Sequence, residues 1–222
     1  MRKIVLYIVL GLFPLALLAQ SRLEREEIYI GVHGGLMMSM VNFNPRIDGA
    51  NNLMDPLLGK NGGLVFRYSG HRCCGLQVEV NYLQRGWQED AEATALTPAT
   101  HYERQLDYIE VPFLSHIYFG SESFRGFVNL GPQVGYCFAS QERGERQSHY
   151  EAQYEAIKKP FDWGVAGGLG LYFRNRKVGI FQVEARFDYS FGHLFPVRRR
   201  NYFKQINTMD LSVNFGYLFE IK

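Results

Sequence analysis

Large apolar residues alternate with small or polar ones along most of this chain, most plainly in its last stretch. From Met209 to Phe219, Met209, Leu211, Val213, Phe215, Tyr217 and Phe219 fall on one face and Asp210, Ser212, Asn214 and Gly216 on the other, the period of an extended strand. Seven earlier segments repeat the design. Ile28 to about Met40 sets Ile28, Ile30, Val32, Leu36 and Met38 against Tyr29, Gly31, His33 and Gly35. Gly63 to Ser69 sets Leu64, Phe66 and Tyr68 against Val65 and Arg67, and the third segment sets Leu76, Val78, Val80 and Tyr82 against Gln77, Glu79, Asn81 and Arg85. In the fourth, Ile109, Val111, Phe113, Ile117 and Phe119 oppose Tyr108, Glu110, Pro112, His116 and Tyr118.

The second half continues in the same way. Val128, Leu130, Val134, Tyr136 and Phe138 oppose Asn129, Gly131, Gln133 and Gly135; Trp163, Val165, Leu169, Leu171 and Phe173 oppose Asp162, Gly164, Ala166, Gly168 and Gly170. In the seventh, Phe181, Val183, Ala185, Phe187 and Tyr189 oppose Gln182, Glu184, Arg186, Asp188 and Ser190. Connections after the second, fourth and sixth segments are short, at about Gly70–Gly75, Gly120–Gly126 and Arg174–Gly179, and the others are long and polar. Short turns at one end and long loops at the other are the plan of an outer-membrane barrel with both termini periplasmic.

Alternation by itself does not say which stripe faces inward, and a soluble lipocalin-like barrel would show the same two stripes reversed. Three features favour the membrane. The polar stripe is rich in glycine and in charges of both signs, as a narrow lumen requires; the apolar stripe carries almost no charge; and aromatic residues gather near strand ends. Tyr82 with Trp87, Tyr136 with Phe138, Tyr189 with Phe191, and Tyr217 with Phe219 read as interfacial girdles. The expected fold is all-β, an eight-stranded antiparallel transmembrane β-barrel.

The N-terminus fits export. Arg2 and Lys3 precede an apolar run from Ile4 to Leu18, followed by Ala19, the form of a cleaved signal peptide over residues 1–19, with residues 20–222 as the barrel domain. The run is short for a spanning helix of ~20 residues. No cysteine lies near the cleavage point, which argues against a lipoprotein. Removal takes two of the 24 Lys and Arg and none of the 22 Asp and Glu, leaving 22 of each, so the charge balance gives no reason to expect a nucleic-acid partner.

Four segments, Leu76–Tyr82, Tyr108–Leu114, Gly131–Tyr136 and Gly167–Leu171, resemble the porin-like outer-membrane β-barrel family of Bacteroidetes, often called PorT-like. The resemblance covers nearly the whole mature chain, through the order and spacing of motifs that are each weak. It implies an eight-stranded outer-membrane barrel, and it admits a part in type IX protein secretion, the role of the family's named member. One departure is the end of the chain. Many such barrels finish on an aromatic residue, and this one finishes Phe219-Glu220-Ile221-Lys222.

The candidate polar constellation is a lumen charge network of Arg67, Glu79, Arg85, Glu110, His116, Glu184, Arg186, Asp188 and Asp210. Charges in a narrow barrel need partners, because isolated ionised groups are costly to desolvate. The network is expected to be a structural plug, with a gated polar path as the sharper alternative, since eight strands leave an interior just filled by side chains. Pro112 is expected to mark a local irregularity, because proline cannot donate to the ladder.

Candidate chemistry is sparse. Ser190 and His193 are the one nucleophile–base pair near a strand end, and at i and i+3 they point to opposite faces of a strand, so no catalytic site is expected and a lipid A modifying enzyme is the remotest alternative. The six histidines are scattered, no metal or cofactor motif is present, and none is expected. Cys73, Cys74 and Cys137 read as free thiols, with a strained vicinal disulfide between the first two as the alternative. In the last long loop Arg198, Arg199, Arg200 and Lys204 are a solvated stretch or contacts for the phosphates of lipopolysaccharide, which guanidinium groups bind bidentately. The loop Gln141 to Lys159 has balanced charge and the makings of a short helix around Tyr150–Ile157. The expected role is a non-enzymatic barrel that displays its outer loops; a secretion component and a narrow channel are the alternatives. Expected partners are outer-membrane lipid, lipopolysaccharide and other envelope or secretion proteins.

Overall fold

The computed structural model describes residues 26–44, 54–70, 73–91, 100–144, 160–175, 177–191 and 205–221. The signal sequence, the Arg198–Lys204 stretch, His193 and the proposed helix around residues 150–157 lie outside them. Eight strands follow in order: β1 (Glu27–Asn44), β2 (Met54–Ser69), β3 (Cys74–Ala91), β4 (Thr100–Gly120), β5 (Phe124–Gly144), β6 (Phe161–Asn175), β7 (Gly179–Ser190) and β8 (Gln205–Glu220). Each pairs antiparallel with the next, and β8 returns to β1 to close the barrel.

The direction of the two stripes settles the environment. Charged and amide side chains such as Arg67, Glu79, Arg85, Glu184, Arg186 and Asp210 are buried, whereas Leu64, Phe113, Leu169 and Phe215 are each more than half exposed. A soluble barrel would hide the second set and solvate the first. An apolar outer wall around an ionic interior is stable where hydrocarbon replaces water outside, and closure leaves no strand edge to satisfy there. The eight-stranded antiparallel barrel of the sequence reading is the fold observed.

The strands run further than their apolar stripes. A barrel strand needs ~9–11 tilted residues to cross the hydrocarbon, which β7, of 12 residues, barely exceeds, while β4 and β5 have 21 each. The surplus of β4 and β5 lies at the long-loop end, in pairs such as Glu103↔Arg143 and Gln105↔Gln141, so one side of the wall rises as a paired extension with a polar outer face. The sequence reading began β4 too late and ended β5 too early because the outward positions there, such as Glu103, Gln105, Gln141 and Arg143, are polar. It also started β2 at Gly63, whereas pairing begins at Met54, with a register shift between Pro56 and Asn61 that absorbs the Gly-, Lys- and Asn-rich stretch.

The irregularity expected at Pro112 is a lapse in pairing: the β3–β4 ladder steps from Val78↔Phe113 to Asn81↔Glu110 beside it. The β4–β5 register is the same at Pro112↔Gln133 as at Ser115↔Leu130; the shift in this pair falls between Asp107 and Tyr108. The imino residue is tolerated without a bulge, and the register shift sits where the wall leaves the membrane zone.

Trp87 is the second correction. It belongs to no outer girdle: it is 1% exposed and faces the lumen. It stands an odd number of residues from the outward Tyr82 on one unbroken strand, so the pleat carries the two to opposite faces. Its indole N–H donates to Glu89 Oε1 at 3.1 Å, and the Arg104 guanidinium lies 5.5 Å from its ring centre.

Candidate functional site

Inside the barrel, side chains stack in storeys from the short-turn end to the long-loop end. At the short-turn mouth Arg174 of β6 reaches across to Glu27 of β1 at 2.7 Å and Glu220 of β8 at 3.2 Å. Above it Tyr29, Val65, Tyr118, Phe127, Tyr172, Ile180 and Leu218 form a buried apolar cluster. Arg67 lies on this cluster, 5.7 Å and 5.8 Å from the ring centres of Phe127 and Tyr172, and donates to Gln77 Oε1 and Gln182 Oε1, both at 2.6 Å. Arginine suits this position because its flat cation stacks on rings and tolerates neutral acceptors.

Small residues on the inward face of β6 make room for the rest. A Cβ at Gly168 would stand 2.0 Å from Glu184 Oε1, and one at Gly170 would stand 2.3 Å from the Phe127 ring. The glycines of this strand therefore act by absence, admitting bulky groups from facing strands.

The next storey centres on Arg186. It binds Glu79 bidentately, at 2.5 Å from Nη1 and 2.7 Å from Nη2, and donates from Nη2 to Glu184 at 2.9 Å. Glu79 also accepts from Gln77 Nε2 at 2.5 Å and Asn81 Nδ2 at 2.8 Å, and Glu184 from Asn129 Nδ2 at 2.9 Å. His33 Nε2 is 2.8 Å from Asn81 Oδ1, and His116 Nδ1 is 2.7 Å from Asn129 Oδ1. Two carboxylates share one guanidinium, and amides supply further donors, the arrangement that makes a buried ion pair tolerable.

Above it stands a second ionic storey built on Arg85. Its Nε donates to Asp210 at 2.5 Å and its Nη2 to Glu110 at 2.6 Å, with Asp162 at 3.7 Å from Nη1, and the guanidinium lies 5.0 Å from the Tyr108 ring centre. Asp188 faces Asp210 across the β7–β8 pair. Nearest the long loops, Met37, Leu57, Leu83, Trp87 and Leu106 are buried, with Arg104 donating to Ser140 Oγ at 3.3 Å.

All nine residues of the expected charge network are thus in the interior, and the structure divides them. Glu79, Glu184 and Arg186 form one ionic group, Arg85, Glu110, Asp188 and Asp210 another, while Arg67 and His116 belong to the aromatic end. Absent from the expected set were Asp162, Trp87, Glu89 and Arg104. Asp162 was visible on the polar stripe of β6; the other three follow from extending the alternation of β3 and β4 through their polar ends.

The remaining candidates are scattered. Ser190 is 2% exposed and faces the lumen. Cys73, Cys74 and Cys137 are free thiols, with Cys137 Sγ 3.4 Å from the carbonyl of Ala139. Among the described residues no three acidic, histidine or cysteine side chains are placed to hold a metal ion.

A family profile described as an outer membrane protein beta-barrel domain matches residues 18–196. No curated protein matches the sequence. Among solved structures, the chain is similar to the attachment invasion locus protein Ail of Yersinia pestis, at 17% identity and a TM-score of 0.42, covering 87% of this chain and 99% of that one. It is likewise similar to the outer membrane protein OprG of Pseudomonas aeruginosa, at 17% identity and a TM-score of 0.48 over 87% of this chain and 96% of that one. Neisserial surface protein A is 11% identical with a TM-score of 0.44, over 88% and 100% respectively.

Proposed function

This chain belongs to the outer membrane protein beta-barrel domain family, and from that premise we propose that it is a closed, non-enzymatic scaffold that holds its long loops at the bacterial surface. The observation that carries the reading is the filled interior. Ring side chains close the short-turn end, two ionic storeys occupy the middle, and Met37, Leu57, Leu83, Trp87 and Leu106 are buried near the long-loop end. An ion crossing the barrel would have to break Arg186 from Glu79 and Arg85 from Asp210 in low dielectric, where removing one partner of a buried pair costs about 3–5 kcal/mol.

In this reading the apolar outer wall contacts outer-membrane lipid, the short turns and both termini face the periplasm, and the tall paired ends of β4 and β5 stand on the outer side. The inward burial of Ser190 supports a non-enzymatic role, because a lipid substrate would approach from outside the wall. The test is conductance. Purified barrel in planar bilayers is expected to be silent, and discrete, reproducible openings altered by Glu184→Gln would overturn the closed scaffold in favour of a channel.

A Bacteroidetes origin and a part in protein secretion rest on the PorT-like resemblance of the four quoted segments. Recovery of other envelope proteins with the barrel from gently solubilised membranes, together with retention of exported cargo on its deletion, would favour the secretion role. Recovery of the barrel alone with normal export would count against it.

A further inference from the structure

A cation stands in the outward apolar stripe of β2. Lys60 is exposed and lies between the outward Leu58 and Leu64, with Leu36 of β1 opposite it and Met38 opposite Leu58. Leu36, Leu58 and Leu64 are each more than half exposed, as the lipid-facing side of this wall is throughout. A rise of ~3.3 Å per residue and a tilt of ~40° place Lys60 roughly 23 Å above Ser69 at the short-turn end of β2, inside the upper margin of an apolar band ~25 Å tall. An ionisable side chain on that face needs a counterion or a route to the interface. The protein offers no counterion. The Lys60 backbone N–H donates to Gln84 Oε1 at 3.3 Å, and among the described residues its ammonium meets no carboxylate. Asp107, the acid on the same outer face beyond β3, is taken up by the Tyr82 hydroxyl at 3.0 Å and Gln105 Nε2 at 2.8 Å.

Directly below Lys60, toward the middle of the membrane, the wall is hollowed. Gly62 is the next outward residue of β2, and Gly34 of β1 is its partner in register. A Cβ at Gly34 would meet nothing nearer than 3.6 Å, and one at Gly62 nothing nearer than the His33 carbonyl at 3.2 Å. Gly168 and Gly170 lack side chains in order to admit Glu184 and Phe127; these two glycines make way for nothing in the protein. The trough is walled by outward rings, Phe215 of β8 opposite Gly34 and Tyr82 of β3 opposite Gly62. The rings stand three strand spacings apart, roughly 14 Å, which leaves room for an acyl chain between them.

We propose that this site holds one membrane lipid of the long-loop leaflet, with its phosphate on the Lys60 ammonium and an acyl chain laid over Gly62 and Gly34 between Tyr82 and Phe215. Position and charge name the occupant. The trough is continuous with the wall that meets hydrocarbon, its upper end carries a cation unmatched by the protein, and lysine binds phosphate as a point charge. The inference rests on the lipid contact of the wall in the reading above and not on its closed lumen, so lipid retention and conductance test the two separately.

The experiment uses the mature chain refolded in non-ionic detergent micelles, with phosphatidylglycerol titrated in and the barrel–lipid complex read by native mass spectrometry. The unaltered barrel is expected to retain one lipid ahead of any others. Lys60→Gln is expected to weaken retention about tenfold, the effect of losing one hydrogen bond to a charged group, and Lys60→Arg to keep it. Gly34→Leu, which meets no obstacle in the protein, is expected to weaken it by filling the trough. Arg143→Gln, which removes an exposed cation higher on the same outer wall, is expected to change nothing. No retention by the unaltered barrel would overturn the site, as would a loss no greater in Lys60→Gln than in Arg143→Gln. Equal retention of an uncharged diacylglycerol would remove the phosphate from the account, and displacement of the lipid by inorganic phosphate would remove the acyl chain; either result overturns the proposal.

Discussion

The lower and upper ionic storeys of this lumen are each built on one arginine, Arg186 of β7 and Arg85 of β3, and differ in how their acids are held. Around Arg186 the carboxylates of Glu79 and Glu184 have guanidinium and amide donors in abundance. Around Arg85 three carboxylates, Glu110, Asp162 and Asp210, face one guanidinium, and Oδ1 of Asp188, Oδ1 of Asp210, Oγ of Ser190 and Nη1 of Arg85 have no hydrogen-bond partner. The supply of amides differs too: Gln77, Asn81 and Asn129 serve the lower group, while neither amide atom of the buried Gln133 has a hydrogen-bond partner. One storey is a self-sufficient brace, and the other leaves several of its polar atoms without a hydrogen bond.

The contrast can be broken most forcefully from below. Arg186→Met leaves two carboxylates buried without their cation and is expected to destabilise the folded barrel by about 3–5 kcal/mol, read as a lower urea midpoint in lipid vesicles. The mirror experiment above has the opposite sign. Asp188→Asn removes a buried carboxylate whose Oδ1 has no hydrogen-bond partner and is expected to stabilise the barrel by about 1–3 kcal/mol, the usual cost of an unsatisfied buried polar group; a loss of similar size would erase the distinction between the storeys. Asn129→Ala is expected to cost about 1–3 kcal/mol, since it strips Glu184 and His116 of a partner. Ser190→Ala should change stability by less than about 0.5 kcal/mol, because its hydroxyl makes no bond to lose. If these last two alanine variants prove equal, hydrogen bonding is not what distinguishes the two levels.

The faces of the strands were legible from sequence because a barrel wall imposes a strict period of two, and that period held from Tyr29 inward and Ile30 outward to Leu218 inward and Phe219 outward. The membership of the charge network was legible for the same reason. Trp87 shows the limit: bulk and proximity to Tyr82 suggested a girdle, but parity along the strand decides, and parity was the better guide. Pairings across the lumen were not legible. That Arg186 takes Glu79 from a strand more than a hundred residues away, while Arg67 takes two glutamines and no carboxylate, depends on stagger and on the space left by Gly168 and Gly170. Neither follows from alternation. Strand length was hidden too, since outside the membrane zone the pairing of β4 with β5 needs no outward apolar stripe to persist.

The seam between β1 and β8 has a consequence for biogenesis. Sixteen residue pairs, from Tyr29↔Glu220 to Asn44↔Gln205, join the first strand made to the last, across almost the entire polypeptide. Contacts so distant in sequence are the slowest to find, and until they form, both terminal strands expose bare backbone that lipid cannot satisfy. Insertion therefore cannot proceed strand by strand into open hydrocarbon. The nascent wall has to be sheltered at its two edges until the final strand arrives, so a chain shortened by that strand should stall as a substrate of the assembly machinery rather than accumulate as a smaller barrel.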